Sequence, residues 1–203
     1  MYGAELEERK RKSSVAGSSC DTGGNMNSAV STAGLLLHSL SIEQPPPSNR
    51  ETQLINTIID SLSDEDSPLD VSDGPIATKI MTLLSSNRIC SESFLSQHPY
   101  TAWLTALLNL ARTLVKEKAV AEAFHEVKQH AGYVRCVDSC VKRYLALPGS
   151  LEQSQQVIYA LNVLQKLISS KRSADSFVEA RLHKAVLPLL HCQEMGTLQA
   201  ALE

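Results

Sequence analysis

The sequence predicts an all-helical fold that builds its core by stacking helices, and three observations predict it. Beyond residue 48, apolar side chains recur at three- and four-residue steps, the spacing that places them on one face of a helix. No alternating run exceeds four residues, and no hairpin turn sits between apolar runs; Asp73-Gly74 leads directly into Pro75 and a helical pattern. Hydrophobic residues make up 43% of the chain but aromatic residues only 4%, so Leu, Ala, Val and Ile must fill the core. That palette suits helix-on-helix packing.

The first helix is announced by Ser48-Asn49-Arg50-Glu51, which has the S-x-x-E form of a capping box, and continues through Leu54, Ile55, Ile58, Ile59 and Leu62. An acidic loop over 63–74 follows, with Pro68 inside it. Gly74-Pro75 then opens a helix carrying Ile76, Ile80, Met81, Leu83 and Leu84, because a proline costs nothing where the first N–H has no partner. Behind Pro99 comes the clearest helix, 101–116, with the stripe Trp103, Leu104, Leu107, Leu108, Ala111, Leu114 and Val115. A helix over 119–131 is expected to end at Gly132 as its C-cap, and another to run over 133–147 until Pro148-Gly149. Ser150-Leu151-Glu152-Gln153 reads as a second capping box and starts a long helix through Val157, Leu161, Leu164, Leu167 and Ile168. The last segment, 174–192, reads as one helix kinked at Pro188.

Residues 1–47 read differently. Rich in Ser, Gly, Asn and Thr, they cannot bury enough surface to offset chain entropy, and a disordered tail is expected. A short apolar patch at 35–42 interrupts it before Pro45-Pro46-Pro47. The helical domain is thus expected over 48–203. The formal net charge of −3 supplies no general attraction to nucleic acid or anionic membranes. No apolar run approaches the length of a membrane span, and no signal peptide is recognisable. Five cysteines, odd in number and scattered, suit reduced thiols. A cytoplasmic or nuclear protein, not a secreted one, is expected.

An internal similarity stands out. Leu108-Asn109-Leu110-Ala111-Arg112-Thr113-Leu114-Val115 aligns with Leu161-Asn162-Val163-Leu164-Gln165-Lys166-Leu167-Ile168 in apolar positions, in the Asn and in the polar pair. Ala106-Leu107-Leu108-Asn109-Leu110-Ala111 resembles the long third helix of armadillo repeats, and Ala160-Leu161-Asn162-Val163-Leu164 is similar. The two copies lie 53 residues apart, more than the roughly 40–47 of armadillo and HEAT units, so the resemblance implies an irregular α-solenoid of antiparallel helices. The alternative is an irregular helical bundle. The resemblance further implies a scaffold binding protein partners along a concave surface. There Asn109 and Asn162 would hydrogen-bond the backbone of an extended peptide; as ordinary polar residues of a helix surface they would do neither.

Motifs for chemistry are lacking. The sequence holds no G-x-S-x-G, H-E-x-x-H, Walker loop or G-x-G-x-x-G, so no catalytic residue, cofactor or small-molecule substrate is expected. Cys136 and Cys140 share a helix face, but His125 and His130 are five residues apart and separated from them by Gly132, unlike the tight spacings of zinc sites. Two small apolar side chains explain the pair better, and no metal is expected. Cys192 and His191 are neighbours on a helix and point about 100° apart, so they make no local nucleophile–base pair.

Arg9, Lys10, Arg11 and Lys12 form a basic run that reads as a nuclear localisation signal or as solvated charge. Ser61, Ser63 and Ser67 each have an acidic residue three positions on, as in substrates of acidophilic kinases. The leading expectation is a non-enzymatic interaction module, with Trp103 its anchor if exposed and a core residue if buried. The second is a chromosome- or nucleic-acid-associated factor with Lys142-Arg143 and Lys171-Arg172 on one face. Residues 101–203 carry 12 basic against 9 acidic side chains, too mild an excess to favour nucleic acid. The closing stretch 197–203, following Gly196, reads as a helix just begun, as in a shortened form of a larger helical array.

Overall fold

The computed structural model describes residues 49–63, 74–87, 89–91, 98–116, 118–126, 128–147, 149–168 and 171–191. The 1–47 tail with its 35–42 patch, Arg9–Lys12, Ser67 and most of the acidic loop lie outside these residues. Eight α-helices are described: α1 (Asn49–Ser63), α2 (Gly74–Leu84), α3 (His98–Leu114), α4 (Lys118–Glu126), α5 (His130–Ala146), α6 (Leu151–Leu167), α7 (Lys171–Glu179) and α8 (Leu182–Val186). A 3₁₀ turn, Leu187–His191, follows. The fold is all-α, with no strand among the described residues, and the packing suits an irregular helical bundle. No helix among the described residues is long and apolar enough to cross a membrane.

One hydrophobic core joins the helices. Ile55 and Ile59 of α1, Ile80, Met81, Leu83 and Leu84 of α2, and the stripe from Trp103 to Val115 are buried in it. α3 packs against both α1 and α6, while α5 touches α2, α6, α7 and α8. Two cross-contacts fix how α6 runs. The Gln156 amide Nε2 donates to the Thr101 carbonyl at 3.0 Å and the Thr105 hydroxyl at 2.8 Å. Three residues further along α6, the Tyr159 ring lies under the Arg112 guanidinium at 4.7 Å. An antiparallel α6 would carry Tyr159 away from Arg112 at 1.5 Å per residue, so the two helices run in the same sense.

Two expected boundaries move, and one expected cap lacks its side-chain bond. Gly132 is not a C-cap but lies within the first turn of α5, where a Cβ would come 2.5 Å from Ser85 Cβ and 2.7 Å from Ser85 O. Glycine is there for close approach to the end of α2, and the chain instead breaks at Lys128, whose φ is +51°. The single helix expected over 174–192 divides at Arg181, which adopts the left-handed conformation (φ +63°), and Pro188 falls in the 3₁₀ turn. Ser150 is the N-cap of α6, but its side chain makes no capping bond. Its carbonyl instead accepts from the Ser154 N–H and hydroxyl, both at 3.0 Å.

Candidate functional site

The outward edges of α3 and α6 meet in a band of amides, hydroxyls and one guanidinium. On α3 the buried stripe commits Leu104, Leu107, Leu108 and Ala111 to the core, and helical periodicity turns Thr101, Thr105, Asn109, Arg112 and Thr113 the other way. These remain half-buried because α6 lies alongside. The Thr105 and Thr113 hydroxyls donate to carbonyls one turn back, Thr101 and Asn109, each at 3.0 Å. The Asn109 Oδ1 accepts from Arg112 Nε at 3.2 Å and Nη2 at 2.9 Å. That guanidinium is the one stacked on Tyr159, so Asn109, Arg112 and Tyr159 are one unit spanning two helices. Asn162, one turn beyond Tyr159, is half-buried on the same outward edge of α6. The band offers hydrogen-bond donors and acceptors to a polypeptide backbone; it has no acid–base pair.

A third asparagine belongs with these two. Asn56 is exposed on α1, which like α6 packs against α3, and it lies 53 residues before Asn109, the interval separating Asn109 from Asn162. The signal was in the sequence, since Leu54-Ile55-Asn56 matches Leu107-Leu108-Asn109. Thr57 and Ile59 standing opposite Leu110 and Arg112 blur the match.

The remaining candidates separate. Trp103 is 4% exposed, so it is a core side chain and the surface an anchor would need is missing; its indole N–H is buried with no acceptor. Ser61 and Ser63 fall in the last turn of α1, not in a loop. Lys142 is exposed and pairs with Asp138 at 2.7 Å. Arg143 instead turns its guanidinium inward to the Cys140 sulfur, so the two do not present a joint basic face. His125 and His130 stack on one another at 5.9 Å, away from a shared site with the cysteines, and among the described residues no cluster of three or more His, Cys, Asp or Glu could hold a metal ion.

No protein-family model matches the chain, and no solved structure matches it. A serine/threonine-protein kinase of Caenorhabditis elegans is 32% identical over 142 residues, covering 62% of this chain and 14% of the kinase. The chain therefore spans about one-seventh of the length of the curated relative it matches.

Proposed function

We propose that the chain is a non-enzymatic scaffold of armadillo-like character, which holds a protein partner along the outward band of α1, α3 and α6. The observation that carries this reading is the recurrence of Asn56, Asn109 and Asn162 at one interval on three helices in contact through α3, two of them running in the same sense. An extended peptide laid across such a band would exchange backbone hydrogen bonds with successive side-chain amides, each needing both a donor and an acceptor. Similarity to part of a kinase accords with this role. Phosphoryl transfer by protein kinases requires a glycine-rich loop between strands, an H-R-D loop and a D-F-G turn. This sequence contains none of the three motifs. On this reading the aligned stretch corresponds to a helical, non-catalytic part of that larger protein.

The test is peptide selection from a displayed library of random extended peptides, run on the whole chain and on a double variant, Asn109→Ala with Asn162→Ala. A peptide class that binds the native chain should bind the variant at least tenfold more weakly, with the helical circular dichroism retained. Equal binding by both would exclude the band as the recognition surface. Failure to enrich any peptide class would remove the scaffold reading in its peptide-binding form.

A further inference from the structure

Away from the band, the fold assembles three thiols that the sequence keeps apart. Cys136 and Cys140 are buried one turn apart on α5, and Cys90, in the turn that follows α2, is half-exposed beside them. Cys90 is within hydrogen-bond reach of Cys136, and Cys136 of Cys140. At the inner end Arg143 Nη2 donates to the Cys140 sulfur at 3.6 Å and Nε to the Ser139 carbonyl at 3.4 Å, while Nη1 is buried without an acceptor. Among the described residues this guanidinium has no carboxylate partner, and burying a cation unpaired is costly. A thiolate in the sulfur cluster is the available counter-charge.

We propose that Cys90 and Cys136 form a peroxide-reactive dithiol, with Cys90 the attacking thiolate, Cys136 the resolving thiol and Arg143 the cation that favours the charged cluster. The Cys90 sulfur attacks one peroxide oxygen. An S–O bond forms, the O–O bond breaks, and the departing hydroxide takes a proton to leave as water. Sulfur is oxidised by two electrons to the sulfenic acid, and the peroxide is reduced. The Cys136 sulfur then attacks Cys90, forming the S–S bond and breaking S–O; the hydroxyl leaves with the Cys136 proton as a second water. Two thiols and one hydrogen peroxide give one disulfide and two waters.

Helix geometry rules out a Cys136–Cys140 bridge. Residues four apart on a helix hold their Cβ atoms about 5–6 Å apart, beyond the ~3.5–4.5 Å of a disulfide, so Cys136 and Cys140 cannot close without unwinding α5. The proton distribution agrees. The bond from Cys136 draws the Cys90 thiol below its ordinary value, aided by Arg135 and Arg143 and opposed by burial and Asp138. Cys140 is drawn down by Cys136 and Arg143. Cys136 is pushed well up by sharing its proton with both neighbours and by burial. Tyr133, also facing the cluster, is held neutral by burial. Cys136 thus keeps its proton while Cys90 gives its own up, and the Cys136 proton passes to the departing hydroxyl as that sulfur attacks.

The experiment treats the reduced whole chain with substoichiometric hydrogen peroxide at pH 7 and maps the products by mass spectrometry. A Cys90–Cys136 disulfide should dominate. Cys140→Ala should retain it, and Cys136→Ala should leave a Cys90 sulfenic acid that dimedone captures. In the native chain Cys90 should alkylate with iodoacetamide at least threefold faster than in the urea-unfolded chain, a comparison that needs no variant to fold. Oxidation falling mainly on Cys20 or Cys192, or Cys90 reacting no faster than when unfolded, would overturn the proposal.

Discussion

Trp103 brings an indole into the packing between α3 and its neighbours, where its ring is enclosed but its N–H finds no acceptor. Apolar burial and polar desolvation therefore oppose each other in one side chain. Trp103→Phe should shift stability by less than about 1.5 kcal/mol, since the lost volume is offset by removal of an unpaired donor. Trp103→Ala should cost about 3–5 kcal/mol. Urea unfolding of the two variants separates these contributions, and equal losses would mean that the N–H has a partner in solution. Gly132 shows the converse. Alanine normally favours a helix by about 1 kcal/mol over glycine, yet here its methyl would enter Ser85. Gly132→Ala should therefore destabilise the chain by about 1–3 kcal/mol, the range for overpacking. A gain in midpoint would show that α2 and α5 can move apart freely.

At the scale of elements, α5 and α6 are joined by a buried bond that no periodicity predicts: the Tyr133 hydroxyl donates to the Ala160 carbonyl at 2.9 Å. Tyr133→Phe keeps the ring and removes the donor, so it should cost about 1 kcal/mol with no change of helical content. An unchanged denaturation midpoint would show that water replaces the hydroxyl. Helices with a one-sided apolar stripe were legible in the sequence because burial and the 3.6-residue period coincide, as in α1, α3 and α6. Their boundaries were less so. Gly132 looked like a stop because the chain between Ala131 and Tyr133 holds no trace of Ser85, a contact made across 47 positions. Arg181 looked helical because an arginine carries no signal for the left-handed conformation it adopts. Of the site, Asn109 and Asn162 were legible from the repeat, and Asn56 less so because Thr57 and Ile59 break the match around it. The meeting of Cys90 with Cys136 was not legible, since a thiol in a turn carries no pattern to pair it.

Across the whole molecule, the stacked pair His125 and His130 couples the fold to acidity. His130 presents its ring edge-on to Phe177 at 4.9 Å, and its Nε2 is buried without a partner. Both rings titrate below the ordinary 6.5, each mainly through burial; the neighbouring His125 lowers His130 further, and Glu122 partly opposes the shift at His125. Between the folded values and 6.5 the unfolded chain binds more protons, so stability rises with pH in that window. Their contribution is complete above 6.5 and is lost as pH falls toward the folded values. The urea midpoint should therefore be level above pH 7 and decline below 6.5, with a shallower decline in His130→Gln. A midpoint level through pH 5.5 would sink this account. Glu51, raised above 4.5 by burial, acts in the opposite sense and closer to that lower value.

α5 carries four other helices, α2, α6, α7 and α8, and it contributes both the Tyr133 bond and the inner pair of thiols. Amide protons leave a folded chain only when the surrounding structure opens, so a helix with four others packed on it exchanges through a larger opening than a peripheral one. The backbone of α5 should be the last to take up deuterium, and α8 an early one. Chemistry at its cysteines would then reach the slowest-breathing part of the molecule, turning a surface encounter at Cys90 into a change in how long the whole chain stays closed.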